Sequence, residues 1–408
     1  MGRLLLCLFL TVPAIAAART YGPRPYVVVT TGKQWPIPGG RLIAEWMRVA
    51  VFDRLRDEFD AEIVSNSWNC YADGAKEWDC ATELDDQYIT DLADDLGSLP
   101  GGRPIILVGH SYGADSQLRA VAGSWHADNA PVRVPIFALA TIDPTSTAGW
   151  RLIGTGFHFR LPPGLRLFYN RWQRNAPVPW NFGDDGRMSP GCDALVCDET
   201  EQAYRRNADG SYYDPDAVCG FERSGWTLVW RCWPERSTHH SLVEDGLVQA
   251  QLYAQLADRL ARRRVATLTS RYNGKLLCAE GGGGPGTTIE ANRSAALGWE
   301  HFGLIDLNEG ALESGDRVRL ASYEGYFARL DEQNRLRADL VHADDRASFQ
   351  VIRVSPSRPT AEIFPGDVVR LVAPNGLYLL TATDGSVRGW NGLAILGQWD
   401  FTIGGKLR

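Results

Sequence analysis

The sequence predicts an α/β region with a mostly parallel sheet, followed by an all-β domain. Three observations predict this. Between Tyr21 and Arg264, short apolar runs alternate with stretches of helical periodicity. Those apolar runs are uniformly hydrophobic rather than alternating, as expected of strands covered on both faces. After Arg264 the helical periodicity stops, and three similar units with glycine-containing turns follow each other to the C-terminus.

Each element follows in order. Pro25 to Thr31 (PYVVVTT) is β-branched and reads as a strand. Gly40 to Phe59 has helical periodicity, Ala61 to Ser67 is a second strand, and Thr82 to Leu99 is a polar-faced helix. Arg103 to Gly109 (RPIILVG) is an apolar strand, Ala114 to Trp125 a helix, and Val134 to Ile142 (VPIFALATI) another apolar strand. Leu165 to Tyr169 and Thr227 to Trp230 read as later strands. Ser241 to Arg263 is a long closing helix, and Arg262, Arg263 and Arg264 complement its C-terminal dipole.

The first 18 residues read as a secretory signal. Arg3 starts a short apolar run from Leu4 to Ile15, and Ala16, Ala17 and Ala18 offer a small-residue cleavage site. The run is short for a membrane span, which needs about 20 apolar residues. The expected organisation is therefore a signal over 1–18, a catalytic domain over 21–264 and a β domain over 265–408, in a secreted or periplasmic protein. Cysteine usage agrees with export. Cys70–Cys80, Cys192–Cys197 and Cys219–Cys232 form three close pairs, expected as disulfides, and Cys278 is left over as a buried thiol. No Cys-x-x-Cys pair occurs and the histidines lack ligand spacing, so no metal is expected, and nothing suggests another cofactor. A net charge of −7 argues against a nucleic-acid partner, which needs a basic face.

The three C-terminal units can be overlaid. TLTSRYNGKLLCAE closes with GWEHFGLI, VRLASYEGYFARLD with RASFQVI, and VRLVAPNGLYLLTA with GQWDFTI. Gly274, Gly325 and Gly376 mark the turns at equal intervals, and Phe302, Phe349 and Phe401 mark the closing strands. A threefold repeat of four short strands is the pattern of a β-trefoil, in which no unit has enough core alone. This last third of the chain resembles the fascin-like trefoil family, especially at CAEGGGG and ANRSAALGWEHFGLI. It lacks the repeated Gln-x-Trp of ricin-type sugar binders. The resemblance implies a targeting module for a carbohydrate or protein, or a structural appendage.

The chemistry centres on Ser111, in ILVGHSYGA. The order is buried strand, Gly-x-Ser-x-Gly, then helix. Such a turn forces the serine into a strained conformation above the sheet, and Gly109 and Gly113 keep side chains off the flanking elements. With this pattern, residues 21–264 resemble the α/β-hydrolase superfamily on its lipase and esterase side. The resemblance implies an α/β-hydrolase fold and a chain order of serine, acid, histidine. The histidine it points to lies in STHHSLVEDGLV: His239 has the expected register, with His240 the alternative. The acid is Asp143, which ends a strand in ATIDP, or Asp184 or Asp185 in NFGDDG. The oxyanion hole would combine the Tyr112 N–H with one from Lys33 or Gln34, after the first strand. The expected activity is hydrolysis of a small-molecule or lipid ester. The aromatic-rich stretch between Pro144 and Pro234, including Trp150, Phe157 and Trp180, favours an apolar acyl or aromatic group. The competing expectation is a non-catalytic or weakly catalytic binding protein whose trefoil recognises a carbohydrate or protein.

Overall fold

The computed structural model describes residues 22–31, 43–67, 85–122, 135–144, 161, 165–173, 196–224, 227–237, 241–308, 310–354, 360–391 and 401–406. A six-stranded sheet comes first. Its strands are β1 (Tyr26–Thr31), β2 (Glu62–Ser67), β3 (Ile105–His110), β4 (Ile136–Ile142), β5 (Leu167–Trp172) and β6 (Cys197–Glu201). They lie in the order β2-β1-β3-β4-β5-β6, and every neighbouring pair is parallel. Helices α1 (Ile43–Trp46), α2 (Asp53–Phe59), α3 (Asp85–Ser98), α4 (Tyr112–Ala122), α5 (Ser241–Glu244) and α6 (Gly246–Ala261) accompany it, with a π-helical turn at Arg48–Phe52.

The apolar runs of β1, β3 and β4 are continuous because both faces are covered. On one face Val27, Val29, Ile106 and Val108 pack with Phe52, Leu55, Leu252 and Leu256. On the other, Val28, Leu107 and Leu139 pack with Leu92 and Leu96 of α3 and Leu118 of α4. Asp245 caps α6 by accepting from the Val248 N–H at 3.0 Å, which satisfies one of the donors that a helix start leaves open.

Between β6 and α5 the chain leaves the sheet and forms a hairpin of β7 (Val218–Ser224) and β8 (Thr227–Trp233). A two-stranded ribbon is marginal by itself. Here the Cys219–Cys232 disulfide ties it at a directly opposed pair. Cys197 is disulfide-bonded as well, to a partner outside the described residues. Cys70, Cys80 and Cys192 also lie outside them, whereas Cys278 is a buried free thiol.

From Val265 onward the structure is antiparallel. Its strands are β9 (Val265–Ser270), β10 (Leu276–Ala279), β11 (Ile289–Arg293), β12 (Phe302–Asp306), β13 (Arg317–Ala321), β14 (Phe327–Leu330), β15 (Leu336–Leu340), β16 (Phe349–Arg353), β17 (Val368–Val372), β18 (Tyr378–Thr381), β19 (Val387–Trp390) and β20 (Phe401–Lys406). The pairings β9-β12-β13-β16-β17-β20 return to β9 and close a six-stranded barrel. Three hairpins, β10–β11, β14–β15 and β18–β19, extend from it. This is a β-trefoil-like arrangement. Phe302, Phe349 and Phe401 begin the three closing strands, and all three are fully buried in one shared core. None of the units could bury such a ring alone, which is why the repeat closes on itself.

The expected fold class needs correction. The chain is not an α/β protein led by an α/β-hydrolase fold. Among the described residues twenty strands stand against six α-helices, and two of those helices are only four residues long. The larger sheet is the twelve-stranded antiparallel one. The physical reason lies in how the two kinds of strand register in a sequence. Buried parallel strands are dense apolar runs and dominate a reading by hydrophobicity. Half-buried antiparallel strands are short and alternate, and leave a weaker trace.

The barrel is docked on the amino edge of the parallel sheet. Gly102 donates to the Gly325 carbonyl at 3.0 Å, Gly101 to Val341 at 2.8 Å and Arg24 to Tyr323 at 2.8 Å. A Cβ on Gly325 would stand 2.3 Å from Arg103 Cγ and 2.7 Å from its main-chain nitrogen. The Arg103 side chain is 5% exposed and pairs with Glu62 at 2.9 Å and Glu324 at 3.8 Å. Arg24 bridges the same two carboxylates at 3.1 and 3.3 Å.

The three repeat glycines give an internal control. Gly274, Gly325 and Gly376 all have left-handed φ, at 69°, 87° and 80°, but a Cβ meets nothing within 4 Å at Gly274 and Gly376. Alanine at those two sites should cost about 1–2 kcal/mol of backbone strain. Gly325→Ala should cost clearly more in denaturant unfolding, because it also breaks the docking contact. Equal losses at all three sites would mean that the contact contributes nothing.

Candidate active site

Strand β3 ends at His110, and α4 begins at Tyr112. The whole reversal rests on Ser111, whose φ is +58°. A non-glycine residue there carries strain of order 1–3 kcal/mol. The neighbours explain why the chain must turn so sharply. A Cβ on Gly109 would stand 2.5 Å from Ala114 Cα, and one on Gly113 would stand 2.6 Å from the Thr30 carbonyl oxygen. Helix and strands are therefore closer than any side chain permits. The Ser111 N–H donates to the Ile142 carbonyl at 3.1 Å, and its own carbonyl accepts from Ala114 at 3.1 Å. Gln117, one turn into α4, donates to the Thr30 hydroxyl at 2.7 Å and locks the helix to β1. The first N–H groups of a helix have no intrahelical acceptor. The Tyr112 N–H is one of these, at the positive end of the helix dipole.

Asp143 lies one step beyond β4, the strand next to β3. Because Ser111 bonds to Ile142, serine and aspartate leave adjacent strands at the same edge of the sheet, the carboxyl edge. Asp143 is 2% exposed and also left-handed, with φ +43°. Its N–H donates to the Arg171 carbonyl at 2.6 Å. Its carboxylate accepts from the Gln173 main-chain N–H at 3.3 Å and from Gln173 Nε2 at 3.0 Å. Ser111, His110 and Asp143 all have further partners.

Of the other expected site residues, His239, His240, Asp184, Asp185, Lys33 and Gln34 lie outside the described residues. Tyr112 is present as the first residue of α4, so its main chain is described. The chain on either side of 238–240 is well anchored. Ser237 N–H donates to the Ala203 carbonyl at 3.1 Å, just past β6. Arg205 spans both flanks, with Glu235 at 3.4 Å and Glu244 at 2.9 Å. Asp245 Oδ2 accepts from the Arg206 N–H at 2.8 Å and from Gln202 Nε2 at 3.3 Å. Burial pushes the Asp245 carboxyl above the ordinary carboxylate range, against the hydrogen bonds it accepts from Val248, Arg206 and Gln202. Among the described residues no group of three His, Cys, Asp or Glu is placed to hold a metal ion.

Gln117, Gln173, Arg205 and Asp245 were not found by sequence reasoning. None belongs to a local spacing pattern. Each is defined by a partner tens of residues away, apart from the capping bond of Asp245.

No known protein family matches the chain, and no curated protein matches it. Solved structures similar to it include a designed threefold-symmetric protein, ThreeFoil, at 13% identity, covering 34% of this chain and 96% of that one with a TM-score of 0.28. Another is a Caenorhabditis elegans protein of unknown function, at 17% identity, 35% and 94% coverage and a TM-score of 0.29. A third is the SDF2-like protein of Arabidopsis thaliana, at 13% identity, 35% and 92% coverage and a TM-score of 0.29.

The strain at Ser111 is measurable. Ser111→Ala keeps a Cβ in the left-handed region and should leave the strain in place. Ser111→Gly relieves it, at the expense of about 0.5–1 kcal/mol of unfolded-state entropy. Ser111→Gly should therefore unfold at a higher denaturant concentration than Ser111→Ala. The reverse order would mean that the serine conformation is relaxed.

Proposed function

We propose that the protein is a serine hydrolase that cleaves a carboxylic ester through an acyl-enzyme on Ser111. The observation that carries this reading is the strained, left-handed Ser111 between two sterically compulsory glycines at the start of α4. A turn of that shape lets α4 pack closely on β1 and β3, with strain at the serine. It also sets a serine, 5% exposed, at the carboxyl edge of the sheet next to the positive end of a helix.

In the proposed mechanism Ser111 Oγ attacks the ester carbonyl carbon, and its proton passes to the imidazole of His239, or of His240. The Tyr112 N–H, with a second donor from Lys33 or Gln34, receives the developing oxyanion. The tetrahedral adduct collapses, the carbon–oxygen bond to the alcohol breaks, and the imidazolium protonates the leaving oxygen. Water, deprotonated by the same imidazole, then attacks the acyl group and releases the acid and the free serine. Asp143 orients the imidazole and stabilises its charged form. The buried position of Asp143 beside the serine strand favours it over Asp184 or Asp185.

The ester is read as a small molecule or a lipid with an apolar acyl or aromatic group. We read the compartment as secreted or periplasmic. The Cys219–Cys232 disulfide supports that reading, and no helix of the described residues is long and apolar enough to cross a membrane. The barrel is read as a fascin-like targeting module. A second reading, a binding protein without catalysis, is favoured by exposed aromatics on the barrel. Trp299 is 41% exposed and Trp390 63% exposed, and such residues suit a carbohydrate or protein ligand.

A fluorophosphonate probe and p-nitrophenyl esters of graded chain length separate the two readings. The hydrolase reading expects covalent labelling that Ser111→Ala abolishes, and a loss of kcat/KM of at least about 10³-fold in that variant. Absence of labelling, with wild type and Ser111→Ala equal on every ester, would leave the binding reading.

A further inference from the structure

We propose that Gln173 is a positioning residue that fixes the Asp143 carboxylate and, through it, the orientation of the general base. This rests on the serine-hydrolase reading above. The geometry begins with the strands. Ile142 is in register with Arg171, so Asp143 leaves the sheet beside the last residues of β5. The chain of β5 runs on past that point, and Gln173 closes over the aspartate from the neighbouring strand. Its main-chain N–H donates to Oδ1 and its side-chain amide to Oδ2. One residue thus engages both carboxylate oxygens. Two donors at two oxygens fix the plane of a carboxylate, whereas one would leave it free to rotate about its χ2 torsion.

The chemistry of the donors matters as much as their placement. Both are neutral. As neutral donors they orient the carboxylate without themselves adding a positive charge that would compete with a developing imidazolium. A cation in this position would form an ion pair and weaken that effect. A buried arginine is close in sequence, but its donors are directed elsewhere. Arg171 donates to the Asp198 carboxylate at 2.9 Å, to Gln251 at 2.9 Å and to the main-chain carbonyls of Asn170 and Asp198. Gln173 is itself 1% exposed. A glutamine held dry against a dry aspartate is a costly arrangement unless that aspartate's orientation matters.

Three variants test the role. Gln173→Leu removes the side-chain donor and should lower kcat about 10–100-fold, as loss of an orienting partner does at comparable sites, with KM within about twofold. Gln173→Glu gives a sharper signature. Two carboxyl groups at hydrogen-bond distance share one proton, so at acidic pH the protonated glutamic acid can still donate to Asp143. As pH rises and both groups ionise, they repel. The kcat profile of Gln173→Glu should therefore gain a descending alkaline limb that wild type lacks, while circular dichroism shows a folded protein across the range. Gln173→Met, which matches the volume but has no donor, should behave like Gln173→Leu and reports on the fold if the leucine variant is insoluble. Wild-type kcat and pH profile in all three, with Ser111 still labelled by the probe, would overturn the role of Gln173 and leave the hydrolase reading intact. Activity that survives Asp143→Asn would also overturn it. If Ser111 is not labelled in wild type, both ideas fall together.

Discussion

Ser111 stands where a buried strand must become a helix with no room for a Cβ on either side. Its neighbours at Gly109 and Gly113 would collide with Ala114 and the Thr30 main chain if they carried side chains. Everything on the carboxyl edge depends on that close approach. It brings α4 down onto β1 and β3 and sets Ser111 level with the end of β4. Asp143 is then adjacent without any special device, because parallel neighbours end together. The strain stored at Ser111 is tolerated because a continuous apolar core on both faces of the sheet over-determines the backbone around it.

The opposite edge of the same sheet is closed differently. There the barrel presents the turn of its second unit, and Gly325 meets Gly102 and Arg103. The contact combines main-chain hydrogen bonds with a charged cluster of Arg24, Arg103, Glu62 and Glu324. Arg103 is the buried member, and it is satisfied by two carboxylates and by the Arg24 carbonyl at 3.1 Å. Symmetry within the barrel is broken by this docking. Three units with nearly the same turn have different surroundings, and only the second is covered at its glycine. The sheet thus has a carboxyl edge that carries Ser111 and Asp143 and an amino edge committed to docking the barrel.

Much of this was legible in the sequence where the signal is local or repeated. The apolar runs of β1, β3 and β4 showed as strands because burial on both faces removes polar residues from them. The turn at Ser111 showed because the two glycines and the serine sit within five residues. The barrel showed through equally spaced glycines and a phenylalanine at each closing strand, since each unit must contribute the same wedge to a common core. The fold class was misjudged for a related reason. Dense apolar strands stand out more than short alternating ones in a reading by hydrophobicity, so the class was named for the parallel sheet although the twelve-stranded antiparallel sheet is the larger.

Ser111 is where the two kinds of information divide. Its presence in a strand–turn–helix, flanked by compulsory glycines, follows from nearest-neighbour sterics, and the chain carries that information locally. That Asp143 comes to stand beside it depends on β3 and β4 being neighbours in register, which is a property of the assembled sheet. That Gln173 covers the aspartate, that Arg205 and Asp245 anchor the flanks of 238–240, and that Gly325 rests on Arg103 are contacts between residues far apart in the chain. No spacing rule encodes them, because each requires a particular layer of packing to bring its partners within hydrogen-bond reach. Local geometry specifies the turn at Ser111. Long-range packing selects the groups that surround it.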